Sequence, residues 1–398
     1  MKKFIRIMMI CLISMEVHTC HSSSLTSKNT KTFQKYENST TEITTYEADS
    51  GNCAEIWRTI DSSGFYESNP TYIDRANDTD SWSFSDPENQ GMNSLVLDRG
   101  LDHLASNNTI YSALIIRNHA IVRERFYHNS AADHSNNIHS SSKSMFPALA
   151  AIAIEKGYIN GFDQKIMDFF PEYASSFTGS KQNITVYDLL IMSSGLKWTE
   201  DVTEYEIEKE DDWVKAILDL DLEFEPGEEF RYCSGNTHLL SAILTKATGM
   251  STCEFAHTYL FEPLGIDAEH WGRDPQKVYS GGYNLYMRPR EMARYALLFL
   301  NDGQYNGEQI IPSWIVAESK EEVWDKHDVN SDYGYCPLWW RIVIDGYDIL
   351  IGWGYGGQYM WIIPDLNIVT IITQNTKETD DQIDPVAFMK NYLIPSVK

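Results

Sequence analysis

The sequence predicts an α+β protein: an antiparallel sheet of five or more strands, flanked by helices, with a mainly helical lobe inserted. Three observations predict it. Short β-rich runs fall in two groups, residues 111–126 and 347–373, each joined by connections too short for crossovers. Helix-period apolar patterns occupy the chain between them. Uniting both groups in one sheet leaves the middle of the chain, roughly 160–275, as a helical layer, with a groove for a site between lobe and sheet.

Taken in order, Lys2, Lys3 and Arg6 precede an apolar run from Ile7 to Met15, too short to span a bilayer. Residues 1–19 therefore read as an export signal. Val17-His18-Thr19-Cys20 is a poor lipoprotein site, and a lipid on Cys20 stays open. Residues 20–50 are rich in Ser, Thr, Lys, Asn and Glu and read as a disordered polar linker. A globular composition starts at 51 and runs to 398, read as a single domain. Within it, Tyr111–Ile116 and Ala120–Phe126 read as strands around an Asn118-His119 turn. Val186–Met192, Thr237–Thr248 and Arg290–Asn301 follow with helical periodicity. Tyr347–Ile351, Gln358–Ile363 and Asn367–Thr373 give three more strands, and a helix around Pro385–Tyr392 ends the chain.

The 398 residues are 42% apolar, enough for a large core, and carry a formal charge of −25. Without residues 1–19 the charge is −27. Such a surface repels nucleic acid and anionic membranes, so neither is expected as a partner. Past the export signal no stretch is long and apolar enough to span a membrane. Cysteines 53, 233, 253 and 336 can pair in an oxidising compartment, in an order the spacing does not assign. His128, His134 and His139 lack zinc-ligand spacing, so no metal and no cofactor is expected.

The chemistry begins at Ser140-Ser-Ser-Lys143, which opens an apolar stretch running to Ile154. On a helix, residues three apart share a face. A buried ammonium loses hydration, its pKa falls, and it can take the serine proton and so activate a weak alcohol. Next comes Tyr232-Cys-Ser234, after the Glu225-Pro-Gly turn. A phenol beside an ammonium ionises more readily and can shuttle that proton to a leaving group. Third is Gly352-Trp-Gly-Tyr-Gly-Gly-Gln358. It contains Gly-x-Gly-x-x-Gly, but a strand follows it where a dinucleotide site needs a helix. Glycines between two strands instead let a backbone N–H approach a ligand, as half of an oxyanion hole.

Ser-x-x-Lys, Tyr-x-Ser and a glycine-rich strand edge, in that order, resemble the serine β-lactamase and penicillin-binding-protein superfamily. The nearest branch is similar to class C β-lactamases, family VIII esterases and 6-aminohexanoate-dimer hydrolases. Ile184–Leu196, Glu225-Pro-Gly-Glu228, Ser280-Gly-Gly-Tyr283 and Arg288–Arg294 sit in the same order as in that family. The resemblance implies Ser140 as acylated nucleophile, Lys143 as proton acceptor, and Tyr232 as the group that protonates the leaving group and activates water. It also implies an oxyanion hole from the N–H groups of Ser140 and Gln358, with Ser234, Tyr355 and Gly357 against the substrate; the Gln358 side chain is a further candidate.

Three departures qualify it. Ser234 stands where the lactamase pattern has Asn. Tyr355-Gly-Gly357 (or, in another register, Gly354-Tyr-Gly356) begins without the Lys or His that holds a substrate carboxylate. Pro147 falls inside the helix, where a kink is expected. The first two point to an uncharged acyl group, and with the export signal the reading is an exported serine hydrolase for a small ester or amide. The alternatives are a β-lactamase or DD-peptidase, or a ligand-binding relative without catalysis.

Overall fold

The computed structural model describes residues 53–55, 82–128, 130–268, 270–325, 332–376 and 385–398. The export-signal reading of 1–19, the linker reading of 20–50 and Cys20 lie outside them. Eight strands form the main sheet: β1 Ser83–Phe84, β2 Ile110–Arg117, β3 Ala120–Phe126, β4 Gly334–Cys336, β5 Trp339–Ile344, β6 Tyr347–Gly354, β7 Gln358–Ile363 and β8 Ile368–Gln374. Their spatial order is β4-β5-β6-β7-β8-β2-β3-β1. Every pairing is antiparallel except that of β1 with β3. The two strand groups meet where β8 pairs with β2, from Ile368 opposite Arg117 onward.

Both faces of this sheet are covered, which explains why its strands read as nearly continuous apolar runs. On β7, Met360 and Ile362 join one core, whereas Tyr359, Trp361 and Ile363 join the other. The second core is closed by Leu97, Leu101 and Leu104 of α1 (Ser94–Ala105) and by Phe388, Met389 and Leu393 of the C-terminal helical segment. The first core takes α2 (Phe146–Glu155), α3 (Ser234–Thr248) and α4 (Pro289–Leu300). Between β3 and β4 the chain is mainly helical, as expected. Asn118 and His119, both at positive φ, make the tight β2–β3 turn.

A small second sheet matters for the site. Its strands lie in the order Ala54–Glu55, His270–Trp271, Leu285–Met287 and Asn136–Asn137; the last leads straight into Ile138, whose N–H donates to Leu285 O at 2.9 Å. Cys53 and Cys253 form a disulfide, and Cys233 and Cys336 are buried free thiols.

Candidate active site

Ser140 and Lys143 lie on a 3-10 helix, His139–Met145, which passes into α2 at Phe146. In that tighter helix, residues i and i+3 eclipse, so the two side chains project together. Lys143 Nζ donates to Ser140 Oγ at 2.7 Å and to the Gly282 carbonyl at 2.9 Å. The ammonium is buried, 2% exposed, while Ser140 is half-buried and reachable. Pro147 does not kink a continuous helix. It occupies the first turn of α2, where a missing N–H leaves no bond unmade.

Neighbours fix this helix. Tyr295 of α4 donates to Ser144 O at 2.6 Å, and Ser144 Oγ donates to Leu338 O at 2.8 Å. Strand β6 lies against it closely enough to require glycine: a Cβ on Gly354 would sit 2.1 Å from Ile138 O, and one on Gly352 3.1 Å from Ser141 Oγ.

Tyr232 ends the loop before α3. Its ring stacks on Trp340 with centroids 5.6 Å apart, and Lys143 Nζ lies 5.1 Å from its centroid. The Tyr232 hydroxyl interacts with both the Ser140 and Lys143 side chains. Tyr232, far along the chain, is thus brought to the Ser140–Lys143 pair. Ser234 begins α3, and its hydroxyl donates to Glu200, which also accepts from Ser234 N–H at 3.2 Å and Trp198 Nε1 at 2.6 Å. Ser234 is therefore committed to a carboxylate that the sequence reading did not include.

The third motif forms the β6–β7 turn. Tyr355 is 44% exposed and meets His139 edge-on at 5.6 Å, beside the nucleophile. The Gly357 N–H donates to Gly354 O at 3.1 Å, closing the turn. The Gln358 side chain is a correction: it is fully buried on the far side, its Nε2 donating to Gln374 O at 2.8 Å. Only its backbone is left for a substrate. The histidines do not converge. His128 bonds Asn107 O, His134 packs on Tyr111 and His139 on Tyr355.

The electrostatics overturn a simple expectation. Burial alone would lower the Lys143 pKa, but its electrostatic interactions with Tyr232, Glu200 and Glu204 outweigh it and hold Lys143 above the usual lysine range. Burial also raises the Tyr232 pKa; Lys143 pulls it down, Glu200 pushes it up, and the balance is upward. The resting site therefore contains an ammonium and a neutral phenol. Burial and the Lys143 charge push His139 down to about 4, so it is neutral at pH 7.

Glu200, Glu204 and Gly282 were missed from the sequence. A signal existed for the acids: Glu200, Glu204 and Glu208 recur every four residues, a like-charge repeat that is unfavourable on an isolated helix.

Residues 111–388 match the protein-family model Beta-lactamase. The 6-aminohexanoate-dimer hydrolase of Paenarthrobacter ureafaciens is 23% identical over 293 residues, covering 67% of this chain and 73% of that protein. A solved Bacillus anthracis structure, provisionally assigned as a 6-aminohexanoate-dimer hydrolase, aligns with TM-score 0.64 and 20% identity over 74% of this chain and 80% of its own. EstCE1, a hydrolase with promiscuous acyltransferase activity, aligns with TM-score 0.57 and 15% identity over 74% of this chain and 97% of its own. The two structures share the fold with this protein. The chain belongs to the β-lactamase family and is a serine hydrolase.

Proposed function

We propose that the protein is exported and cleaves a small ester or amide through an acyl-enzyme on Ser140. The observation that carries this reading is the 2.7 Å contact of Lys143 Nζ with Ser140 Oγ, completed by the Tyr232 hydroxyl. Ser140 Oγ attacks the substrate carbonyl and its proton passes to the Lys143–Tyr232 pair, which must first lose one proton to accept it. The carbonyl π pair moves onto oxygen, facing the N–H groups of Ser140 and Gln358. Collapse breaks the bond to the leaving alcohol or amine, which takes the proton from Tyr232. Water, deprotonated by the same pair, then releases the acid and restores Ser140.

Two features favour uncharged acyl groups over carboxylate-bearing β-lactams. Tyr355 replaces the carboxylate-binding cation, and Ser234 spends its hydroxyl on Glu200. Export is supported by the basic, apolar start of the chain and by the Cys53–Cys253 disulfide, which suits an oxidising compartment. No helix among the described residues is long and apolar enough to cross a membrane.

The test uses purified protein with p-nitrophenyl butyrate, nitrocefin and a fluorophosphonate probe. Ester turnover and Ser140 labelling are expected, both lost in Ser140→Ala, and Lys143→Ala should abolish labelling while the fold persists. Efficient nitrocefin hydrolysis would overturn the substrate assignment, and undiminished labelling of Lys143→Ala would remove the lysine from the mechanism.

A further inference from the structure

The chain leaves the short helix Val186–Leu190 through a tight turn, residues 191–195, in which Met192 stands at φ +58° and Gly195 at φ +79°. Glycine takes that backbone shape freely, whereas a methionine held there is strained. The surroundings of Met192 show what the strain secures. Its carbonyl accepts the Arg231 N–H at 2.7 Å, and its thioether sulfur accepts the Cys233 N–H at 3.3 Å. The one residue between those two donors is Tyr232.

The same turn grips this corner at further points. Cys233 O accepts the Asn236 N–H at 3.1 Å, and Asn236 Oδ1 accepts the Ser194 hydroxyl at 2.8 Å. Ser193 O accepts the Gly227 N–H at 2.8 Å, earlier in the loop that carries Tyr232. On its other side Leu190 O accepts the Leu338 N–H at 2.9 Å, and Leu338 O is the acceptor for Ser144 on the nucleophile helix. One turn therefore ties the Tyr232 loop and, through Leu338, the Ser140–Lys143 helix to a common frame. Met192 and Cys233 are both buried, so without the sulfur the Cys233 N–H would be left unpaired away from water.

We propose that Met192 is the positioning residue of Tyr232, fixing the backbone on either side of it so that the phenol stays within reach of Ser140 and Lys143. The proposal rests on the hydrolase reading for its effect on rate, but the geometry can be tested without turnover. Packing alone would be served equally by leucine, which fills a similar volume and offers no acceptor.

The first arm is therefore Met192→Leu. Displacing a catalytic group by about 1 Å costs on the order of a hundredfold, so Ser140 labelling by a fluorophosphonate and kcat/KM for p-nitrophenyl butyrate should both fall about ten- to a hundredfold. In a Tyr232→Phe background, with labelling followed by intact mass, the same substitution should change the rate less than about twofold, because no hydroxyl remains to be misplaced. The second arm places 3-fluorotyrosine at position 232. Its fluorine resonance should shift or split in Met192→Leu and stay in place in Met389→Leu, which alters a buried methionine of the other core.

A fluorine resonance unmoved by Met192→Leu, or wild-type rates in that variant, overturns the positioning role and leaves the hydrolase reading intact. An equal fractional loss with and without the Tyr232 hydroxyl also overturns it, since Met192 would then act on the fold at large. If the wild-type protein neither cleaves the ester nor takes the label, the hydrolase reading fails. The fluorine spectrum then decides the role of Met192 alone.

Discussion

Replacing Glu200 by Gln should move the pH dependence of catalysis, by an amount the geometry bounds. Lys143 Nζ and Ser234 Oγ each lie 3.3 Å from the position of a Gly282 Cβ, and Ser234 Oγ donates to Glu200. The carboxylate is thus within about 9 Å of the ammonium, where at an effective dielectric near 20 one charge is worth about 1.8 kcal/mol. Water entering the half-open cleft would about halve that, so the expected effect is about 0.7 pH unit. The sign follows from what the charge does. Glu200 makes both the ammonium and the phenol harder to deprotonate. The active form of the pair has one proton fewer, so kcat/KM should climb toward alkaline pH, and Glu200→Gln should move that rise about 0.7 unit lower.

The height of the profile will also change, because Ser234 N–H and Trp198 Nε1 lose a carboxylate acceptor; the position of the rise is the diagnostic. Glu200→Asp, which keeps the charge, should keep the position while losing rate. The assay is kcat/KM for p-nitrophenyl butyrate from pH 6 to 10, corrected for spontaneous hydrolysis. A rise that stays put in Glu200→Gln, or moves upward, refutes the electrostatic account of Lys143.

Two further outcomes follow from packing and covalent structure. Gly354→Ala would place its Cβ 2.1 Å from Ile138 O, so β6 must retreat from the nucleophile helix. A loss of about 1–3 kcal/mol in a denaturant melt is expected, with probe labelling falling further than stability, on the order of a hundredfold. Wild-type labelling rates would show that the close approach is dispensable. Replacing Cys53 and Cys253 by Ser opens a crosslink spanning 200 residues, for which chain entropy gives about 5 kcal/mol as an upper bound. Unchanged thermal stability with and without reductant would refute a stabilising disulfide.

The strands legible in the sequence were those with local hairpin partners. The predicted Tyr111–Ile116 lies inside β2, and Ala120–Phe126 and Gln358–Ile363 coincide with β3 and β7. β4 and β5 escaped because Pro337 and Leu338, the latter at φ +54°, break the run between them. Their register rests on pairing with each other and with β6, which periodicity does not reveal. β6 itself was read as ending at Ile351, because glycines look like a loop. In the fold they extend the strand to Gly354, pressed against the nucleophile helix.

The same distinction separates what was legible in the site from what was not. Ser140 and Lys143 are three residues apart, so local geometry nearly dictates their contact, and Tyr232 was found through ordered motifs. The protonation of Lys143 was misjudged because a sequence shows that a lysine is buried in apolar company but not which charges the fold returns to it. Here the helix Val202–Ile207 and the residues flanking it bring Glu200 onto Ser234, Glu208 onto Tyr283 and Glu204 into the pocket that Ser234 and Tyr283 line. Desolvation acts on every buried ammonium, whereas Tyr232, Glu200 and Glu204 act only through tertiary placement, and in this chain the three together prevail.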